Sequence, residues 1–201
     1  MPNERVQMWA SFPAIRRFPT TIQTARLKLR QPCLKDLQPY AAMNADPQVM
    51  KFFPATMSLE ESRNSLQRLD AHWQHYGFGL YAVELADEPR LVGIVGPQVS
   101  QFEAHFTPCV EIAWRLDSTL WNQGLATEAA RAVCTAIWRE TELTELVALT
   151  AAINQPSQRV MQKLGMRHDP ADDFDHPSVA DDSTLKRHVL YRMSRSGSQL
   201  L

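Results

Sequence analysis

The sequence predicts a mixed α/β fold, in which an antiparallel N-terminal half joins a βαβ half and helices cover both sides of one sheet. Three observations support this prediction. The elements follow one another as strand, helices, hairpin, strand, helix, strand, helix, strand. Six of the seven glycines fall at or beside the turns or strand edges of those elements. The 201 residues, 44% hydrophobic and 21% charged, suit one globular domain and exclude a disordered chain.

The chain begins with a segment that has no clear hydrophobic period. We interpret residues 1–21 as an N-terminal arm. Leu27 and Leu29 then alternate before Pro32, which predicts a short first strand. Apolar residues at helical spacing follow and predict a helix that ends near Asn44.

The next helix has a clear start signal. Ser58 and Glu61 have the spacing of a capping box, and apolar residues keep helical spacing from there to Tyr76. Residues 80–84 and 91–95 follow as two apolar runs around a short polar turn. These two runs predict a β-hairpin.

The central junction of the chain is a strand, a tight turn and a helix start. Apolar residues alternate through 110–116, and a polar turn containing Gly124 then leads into an alanine-rich segment that predicts a helix to Glu140. The first N–H groups of a helix have no internal partner and lie at the positive end of its dipole. Residues 120–133 are therefore a candidate cradle for a phosphate or pyrophosphate.

The C-terminal part repeats the strand and helix pattern. Residues 145–152 are β-rich, residues 154–157 have the composition of a helix cap, and Gly165 suits the end of that helix. Residues 168–184 predict a long acidic loop, and alternation over 188–193 predicts a last strand.

Charge and cysteine usage limit the partners and the compartment. The net charge of -1 does not suggest a nucleic-acid partner or an anionic membrane. No signal peptide and no stretch near 20 apolar residues is present, so we expect no membrane segment. Three widely spaced cysteines without metal-ligand spacing favour a reduced, cytoplasmic protein. We expect it to act as a monomer or a homodimer.

Six segments together carry a family resemblance. They are TARLKLR (24–30), LVGIVG (91–96), EIAWRL (111–116), WNQGLATEAA (121–130), NQPS (154–157) and VMQKLGM (160–166). In this order they resemble the GNAT superfamily of acyl-CoA N-acyltransferases, in the branch of the ribosomal-protein N-terminal acetyltransferases. The resemblance implies a mixed, mostly antiparallel sheet of about seven strands with splayed central strands and helices on both faces. It places the acetyltransferase domain at residues 22–194 and leaves a tail at 195–201.

Two residues depart from the pyrophosphate loop of the family. Trp121 stands where Arg or Gln is usual, and Asn122 stands where relatives in this branch commonly have glycine. Gly124 and Ala126 match. Asn tolerates a positive φ better than most residues, so we expect the loop to keep its shape.

The resemblance implies acetyl-CoA as the co-substrate and assigns its binding residues. Backbone N–H groups of the loop would hold the pyrophosphate, and those of the central strand would bind the pantetheine and polarise the carbonyl. Asn154 would contact the pantetheine, and Ser157 would protonate the thiolate. A plain helix cap explains Asn154 and Ser157 as well. The cofactor-binding set is Ile112, Ala113, Trp114, Gln123, Gly124, Leu125, Ala126, Thr127, Asn154 and Ser157.

An amine substrate needs a base, because a lysine amine has a pKa of about 10.4 and an α-amino group one of about 8. Glu111 is one candidate, since some relatives carry a catalytic glutamate on this strand; the alternative is a solvated or sheet-paired carboxylate. His176 is the other, because related enzymes place a catalytic acidic residue in this segment, although a surface turn explains it too.

Other chemistry is less well supported. The aspartates of residues 168–184 lack the spacing of metal ligands, so we expect no metal and an attraction for a cationic amine instead. Cys109 and Cys134 have no histidine placed by sequence to activate them, which favours core packing over a covalent route.

The leading hypothesis is an acetyl-CoA-dependent N-acetyltransferase that moves an acetyl group to a primary amine, on a small molecule or a protein N-terminus, by direct attack in a ternary complex. The alternative is a non-catalytic acyl-CoA-binding or interaction module on the same fold. A nucleotide-binding protein is disfavoured, because the loop lacks the lysine and Ser/Thr ending of a P-loop. We expect acceptor specificity from residues 58–76, the Phe52-Phe53 segment and the acidic loop.

Overall fold

The computed structural model describes residues 18–195, which form one nine-stranded sheet flanked by four α-helices. Most of the predicted arm and tail lie outside the described residues. The helices are α1 (Leu37–Ala45), α2 (Leu59–Tyr76), α3 (Leu125–Glu140) and α4 (Gln155–Lys163). The strands are β1 (Thr21–Gln23), β2 (Leu27–Arg30), β3 (Tyr81–Leu85), β4 (Glu88–Val99), β5 (Val110–Leu116), β6 (Glu145–Ala151), β7 (Arg167–His168), β8 (Phe174–Asp175) and β9 (Arg187–Ser194).

The sheet order is β1-β2-β3-β4-β5-β6-β9-β7, and β8 also pairs with β9. Within the described residues, β5 and β6 are the one parallel pair, and every other pairing is antiparallel. The parallel pair is connected through α3, as a βαβ unit requires. The predicted mixed, mostly antiparallel fold is confirmed.

Helices pack on both faces of the sheet, as predicted. Leu125, Ala129 and Val133 of α3 belong to the larger apolar core, together with Ile112 of β5. On the other face α1 and α2 pack on the sheet through a second cluster that contains Tyr40. Alternate residues of β5 therefore face different helix pairs.

Local end signals correctly located two of the helices. The Ser58 N–H donates to Glu61 Oε2 at 2.7 Å and the Glu61 N–H donates to Ser58 Oγ at 3.2 Å, which completes the capping box of α2. Gly165 follows α4 with a φ of 79°. That left-handed conformation favours glycine at a helix end.

Strand β4 is longer than predicted, since it continues through Pro97 to Val99. The β3 ladder ends at the pair Tyr81 and Val95, so the last residues of β4 pair with β5 alone. A proline is tolerated there because it has no bond to β3 to lose. The Val99 N–H instead donates to His72 Nε2 at 3.0 Å.

The extra strands are short. β1 contributes three residues, while β7 and β8 contribute two each and lie in or beside the acidic segment that the sequence predicted as a loop. Both β7 and β8 pair with β9. The segment is therefore not wholly a loop. Pairings as short as these leave no pattern of alternation, which is why the sequence did not predict them. No helix among residues 18–195 is long and apolar enough to cross a membrane.

Candidate active site

The site is built around a fork between two parallel strands. β5 and β6 pair at Glu111 and Val147 and at no other position in the described chain. The rest of the β5 edge that faces β6, which includes Ile112, Ala113 and Trp114, has no ladder with that strand. Splayed central strands were predicted from the resemblance, and the fork confirms them. Their open edge leaves backbone donors and acceptors available to an extended ligand.

Two helices begin at the open side of this fork. α3 follows β5 and α4 follows β6, and because these strands are parallel, both helix N-termini lie at the same edge of the sheet. Helix N-termini carry unpaired N–H groups and partial positive charge. The edge is therefore suited to a ligand with negative charge at one end.

The start of α3 has no side-chain cap. Its N-cap is Gly124, at a φ of 79°, and no side chain accepts a hydrogen bond from the first turn in the way that Ser58 caps α2. Asn122 also has a positive φ, 62°, a conformation that asparagine tolerates better than most residues. The fold brings the loop residues Gln123 and Gly124 together with the N–H groups of Leu125, Ala126 and Thr127.

The loop is supported from a distant part of the chain. Arg26 Nη1 donates to the Gln123 carbonyl at 2.9 Å, and Arg26 Nε donates to Glu128 Oε2 at 2.7 Å. Thr24 Oγ1 donates to the other oxygen of the same carboxylate at 2.6 Å. Burial alone would raise the pKa of Glu128, but the hydrogen bonds from Thr24 and Arg26 outweigh it and lower that pKa.

Sequence reasoning missed this support. Glu128 was visible only as an acid in the first turn of a helix, where it suits the dipole. Arg26 lies about a hundred residues earlier, and local spacing carries no sign of such a contact.

The structure of the α4 start shows which of Asn154 and Ser157 caps the helix. Asn154 is the N-cap, and its Oδ1 accepts from the Ser157 N–H at 3.2 Å. Asn154 Nδ2 also donates to Thr150 Oγ1 at 2.8 Å. The capping function thus lies with the Asn154 side chain, and the Ser157 side-chain hydroxyl takes no part in that bond.

Glu111 lies at the vertex of the fork and is buried, with 8% of its surface exposed. Gln98 Nε2 donates to its Oε2 at 3.2 Å, and Ser100 Oγ lies 3.5 Å from the same oxygen. Burial raises the pKa of Glu111 to about 7, and the hydrogen bonds from Gln98 and Ser100 only partly oppose this. A carboxylate with such a pKa can accept or release a proton near neutrality.

His176 lies beside Phe102 and Phe174, which pack in one cluster with Val147, the β6 residue that pairs with Glu111. The His176 ring centroid is 4.5 Å from that of Phe102 and 4.8 Å from that of His188, and its Nδ1 accepts from the Ser178 N–H at 3.2 Å. Burial, followed by the neighbouring His188 and Lys186, lowers the pKa of His176 to about 4. The ring is therefore neutral near pH 7 and only weakly basic.

Three of the six aspartates in the acidic segment lie beside lysine or arginine side chains. Asp172 pairs with Arg192 at 2.7 Å, and Asp181 pairs with Lys186 at 2.8 Å. Asp175 lies 3.4 Å from Arg187. These pairs reduce the attraction for a cationic amine that the sequence suggested. In the described chain the aspartates also do not form a metal site. Among residues 18–195, no group of three or more acidic, histidine or cysteine side chains is placed to hold a metal ion.

Cys109 and Cys134 are both buried, free thiols. Burial raises the pKa of Cys109 to about 11 and that of Cys134 to about 12. A thiol that stays protonated at neutral pH is a poor nucleophile, in agreement with core packing for both.

Together, a mixed sheet with one splayed parallel pair and an uncapped helix start at its opening define the N-acetyltransferase class of fold. The acetyltransferase (GNAT) domain model matches residues 26–167. The chain belongs to this family.

Known proteins resemble the chain over most of its length. The uncharacterized N-acetyltransferase YnaD of Bacillus subtilis is 32% identical over 148 residues, which is 74% of this chain and 83% of that protein. A GNAT-family acetyltransferase from Bacillus anthracis is 26% identical with a TM-score of 0.71, over 88% of this chain and 99% of that one.

A ribosomal-protein acetyltransferase also shares the fold. RimL, described as a ribosomal L7/L12 alpha-N-protein acetyltransferase and solved as a CoA–cysteine disulfide, is 16% identical with a TM-score of 0.70. The match covers 87% of this chain and 97% of that one. The resemblance to this branch is therefore a resemblance of fold.

Proposed function

We propose that this chain is an acetyl-CoA-dependent N-acetyltransferase that acetylates a primary amine by direct attack in a ternary complex. The observation that carries the proposal is the position of Glu111, a buried carboxylate with a raised pKa at the vertex where β5 and β6 part. A perturbed carboxylate at an opening lined by free backbone groups suits proton abstraction beside a bound carbonyl.

The residues around the fork fit acetyl-CoA. The pyrophosphate would bind the N–H groups from Gln123 to Thr127, where α3 lacks a side-chain cap. The pantetheine amides would pair with the open β5 edge at Ile112, Ala113 and Trp114, and with the Asn154 side chain. The RimL structure with coenzyme A supports this choice of co-substrate.

Each reacting proton has a candidate residue. Glu111 takes the proton from the amine as the new bond between nitrogen and carbonyl carbon forms. As the bond between that carbon and sulfur breaks, the Ser157 hydroxyl donates a proton to the sulfur and is itself reprotonated from solvent. The amine is thereby acetylated and coenzyme A leaves as a free thiol.

Glu111 is a better base than His176. The pKa of Glu111 is raised toward neutrality, whereas that of His176 is lowered to about 4 and its Nδ1 is already occupied by the Ser178 N–H. A base is most effective when its pKa lies near the working pH. We therefore assign His176 a packing role in the aromatic cluster.

Two measurements test the proposal. Saturating acetyl-CoA should raise the melting temperature of the protein, because a ligand that binds the folded state stabilises it. A panel of primary amines with acetyl-CoA should then release free thiol, detected with a thiol-reactive chromophore. Absence of a thermal shift would reject the co-substrate.

The same measurements distinguish the alternative of a non-catalytic acyl-CoA-binding module. Such a module would show the thermal shift with acetyl-CoA and release no thiol with any amine. The Ser157→Ala variant would behave as the wild type in both measurements. An effect of ATP equal to that of acetyl-CoA would indicate a nucleotide site instead.

A further inference from the structure

Arg115 is a partly buried cation that lacks an anionic partner. It lies on β5, and its Nε is enclosed and has no hydrogen-bond partner in the described part of the chain. No ion pair joins Arg115 to a carboxylate among residues 18–195. Burying a charge is costly unless it is paired, so an unpaired guanidinium needs a reason.

Its protein contacts are neutral. Arg115 Nη2 donates to the Tyr40 hydroxyl at 3.0 Å, and Nη1 lies 3.4 Å from the Met50 sulfur. The guanidinium carbon is 5.2 Å from the ring centroid of Phe53 and 5.6 Å from that of Tyr40. Aromatic faces and a thioether stabilise a cation in part but leave its positive charge uncompensated.

Other partly buried arginines of this chain are treated differently. Arg30 pairs with Asp36 at 2.6 Å and with Glu84 at 2.7 Å. Arg192 pairs with both Asp172 and Glu145 at 2.7 Å. Arg30 and Arg192 thus each pair with two carboxylates of the chain, whereas Arg115 pairs with none among residues 18–195.

The position of Arg115 relates it to the proposed reaction. Arg115, Ala113 and Glu111 alternate along β5 and so share one face of the sheet. This face is opposite to the one where Ile112 packs beneath α3. Glu111 and Arg115 are four residues apart, which in a strand is about 13 Å. A ligand along this face could place an amine at Glu111 and another group at Arg115.

The chain between Asp46 and Phe53, which follows α1, contributes two of the Arg115 contacts, through Met50 and Phe53. Tyr40 and Met50 are buried, whereas Phe53 is 40% exposed. Ser118 Oγ donates to Asp46 Oδ2 at 2.7 Å and ties the start of this segment to the chain after β5. The exposed Phe53 marks the side from which a small molecule can approach the guanidinium.

We infer that Arg115 binds a terminal carboxylate or phosphate of the acceptor, so that the substrate is a small primary amine carrying an anionic group. This inference rests on the proposed function and names its substrate class. The guanidinium offers donors in a fork that matches either anion. Arg115 is a specificity residue, and Glu111 remains the base.

Matched acceptors test the inference. Thiol release is measured for ω-amino acids of increasing length against their carboxamides, and for phosphoethanolamine against ethanolamine. We expect the anionic member of at least one pair to have a kcat/KM about tenfold to a hundredfold higher, as expected for a charge-assisted hydrogen bond. The two series show whether carboxylate or phosphate is preferred. Equal use of charged and neutral members would overturn the inference.

Variants connect the preference to this side chain. Arg115→Met keeps a long side chain but removes the charge. In this variant the kcat/KM ratio of anionic to neutral acceptors should fall to about one. Acetyl-CoA should still raise the melting temperature of the variant. Arg115→Lys should retain part of the preference. Arg68→Met, an exposed position on α2, is the control and should change neither. A preference that survives in Arg115→Met would contradict the inference.

A binding measurement separates this inference from the proposed function. If no amine of either kind releases thiol, the proposed function fails, yet the anionic amines should still raise the melting temperature of the wild type and not that of Arg115→Met. If they raise neither, or raise both equally, the inference fails on its own. An acidic peptide that binds better than every small amine would also overturn it.

Discussion

The Gln98 side-chain amide donates to the Glu111 carboxylate at 3.2 Å, and this bond spans β4 and β5 at the vertex of the fork. It holds the carboxylate in place without a cation. An unpaired buried carboxylate keeps a raised pKa, whereas an arginine in the position of Gln98 would lower it.

Glu111→Gln should therefore remove the base and retain the shape of the site. We expect kcat to fall about a hundredfold to ten thousandfold, the usual contribution of a general base. Binding of acetyl-CoA, measured by calorimetry, should stay within about twofold, because the pyrophosphate loop is untouched. Glu60→Gln, at an exposed position in the first turn of α2, is the control. Unchanged turnover in Glu111→Gln would show that another group or water is the base.

The raised pKa of Glu111 also predicts how stability depends on pH. The folded protein retains this proton up to about pH 7, while the unfolded chain loses it near 4.5. The contribution to the free energy of unfolding is thus fully present below 4.5 and is lost as the pH rises through 7. A shift of this size amounts to about 3 kcal/mol.

Urea unfolding of the wild type and of Glu111→Gln at pH 4.5 and pH 8 measures this term. The wild type should lose about 3 kcal/mol more than the variant between the two conditions. His176, His188 and the paired aspartates titrate in both proteins, so their effects cancel in the difference. Parallel loss of stability would mean that the Glu111 pKa is not raised.

Two glycines with the same φ, 79°, allow strain to be separated from ligand binding. Gly124→Ala and Gly165→Ala both place a Cβ on a left-handed residue, and neither Cβ meets an atom closer than 3.7 Å. Each variant should lose about 1 kcal/mol in the free energy of unfolding. Only Gly124→Ala should weaken acetyl-CoA, because Gly165 ends α4 and is not part of the loop. Equal effects on affinity would contradict the proposed pyrophosphate site.

Much of the fold was predictable because its signals are local. The alternation of β5, the capping box of α2 and the glycine before α3 each lie within a few residues of the element that they define. The extension of β4 through Pro97 was not predictable, because it depends on where β3 ends.

The site was predictable in its backbone and less so in its side chains. Gln123 to Thr127 follow from a helix start, and Asn154 from a cap. The environment of Arg115 combines residues of α1, the following segment and β5, and the Arg26 contact to Glu128 crosses most of the domain. Contacts at such separation have no signature in spacing, so the sequence showed the residue types without their partners.

The contact between Arg26 and Glu128 should affect affinity more than chemistry. Arg26 is about half exposed, so its ion pair contributes less than about 1 kcal/mol to stability. Arg26→Met should nevertheless release the Gln123 carbonyl and raise the Kd for acetyl-CoA about twofold to fivefold. Calorimetry against Arg68→Met, an exposed arginine on α2, measures this change. A fall in kcat at unchanged Kd would show that the contact does not act through the loop.

Asn154 and Ser157 should separate a structural role from a chemical one. Asn154→Ala removes the cap of α4 and should lower the free energy of unfolding by about 1 kcal/mol. Ser157→Ala leaves its N–H bond to Asn154 intact, so stability should change by less than about 0.5 kcal/mol.

Ser157→Ala should change turnover although it leaves stability nearly unchanged. If its hydroxyl protonates the departing thiolate, Ser157→Ala should lower kcat at least about tenfold with little change in KM for acetyl-CoA. The loss should shrink with an acyl donor whose thiol has a lower pKa, because such a leaving group needs less protonation. A structural serine would give no such dependence on the leaving group. A stability loss in Ser157→Ala without any loss of turnover would assign the residue to the cap.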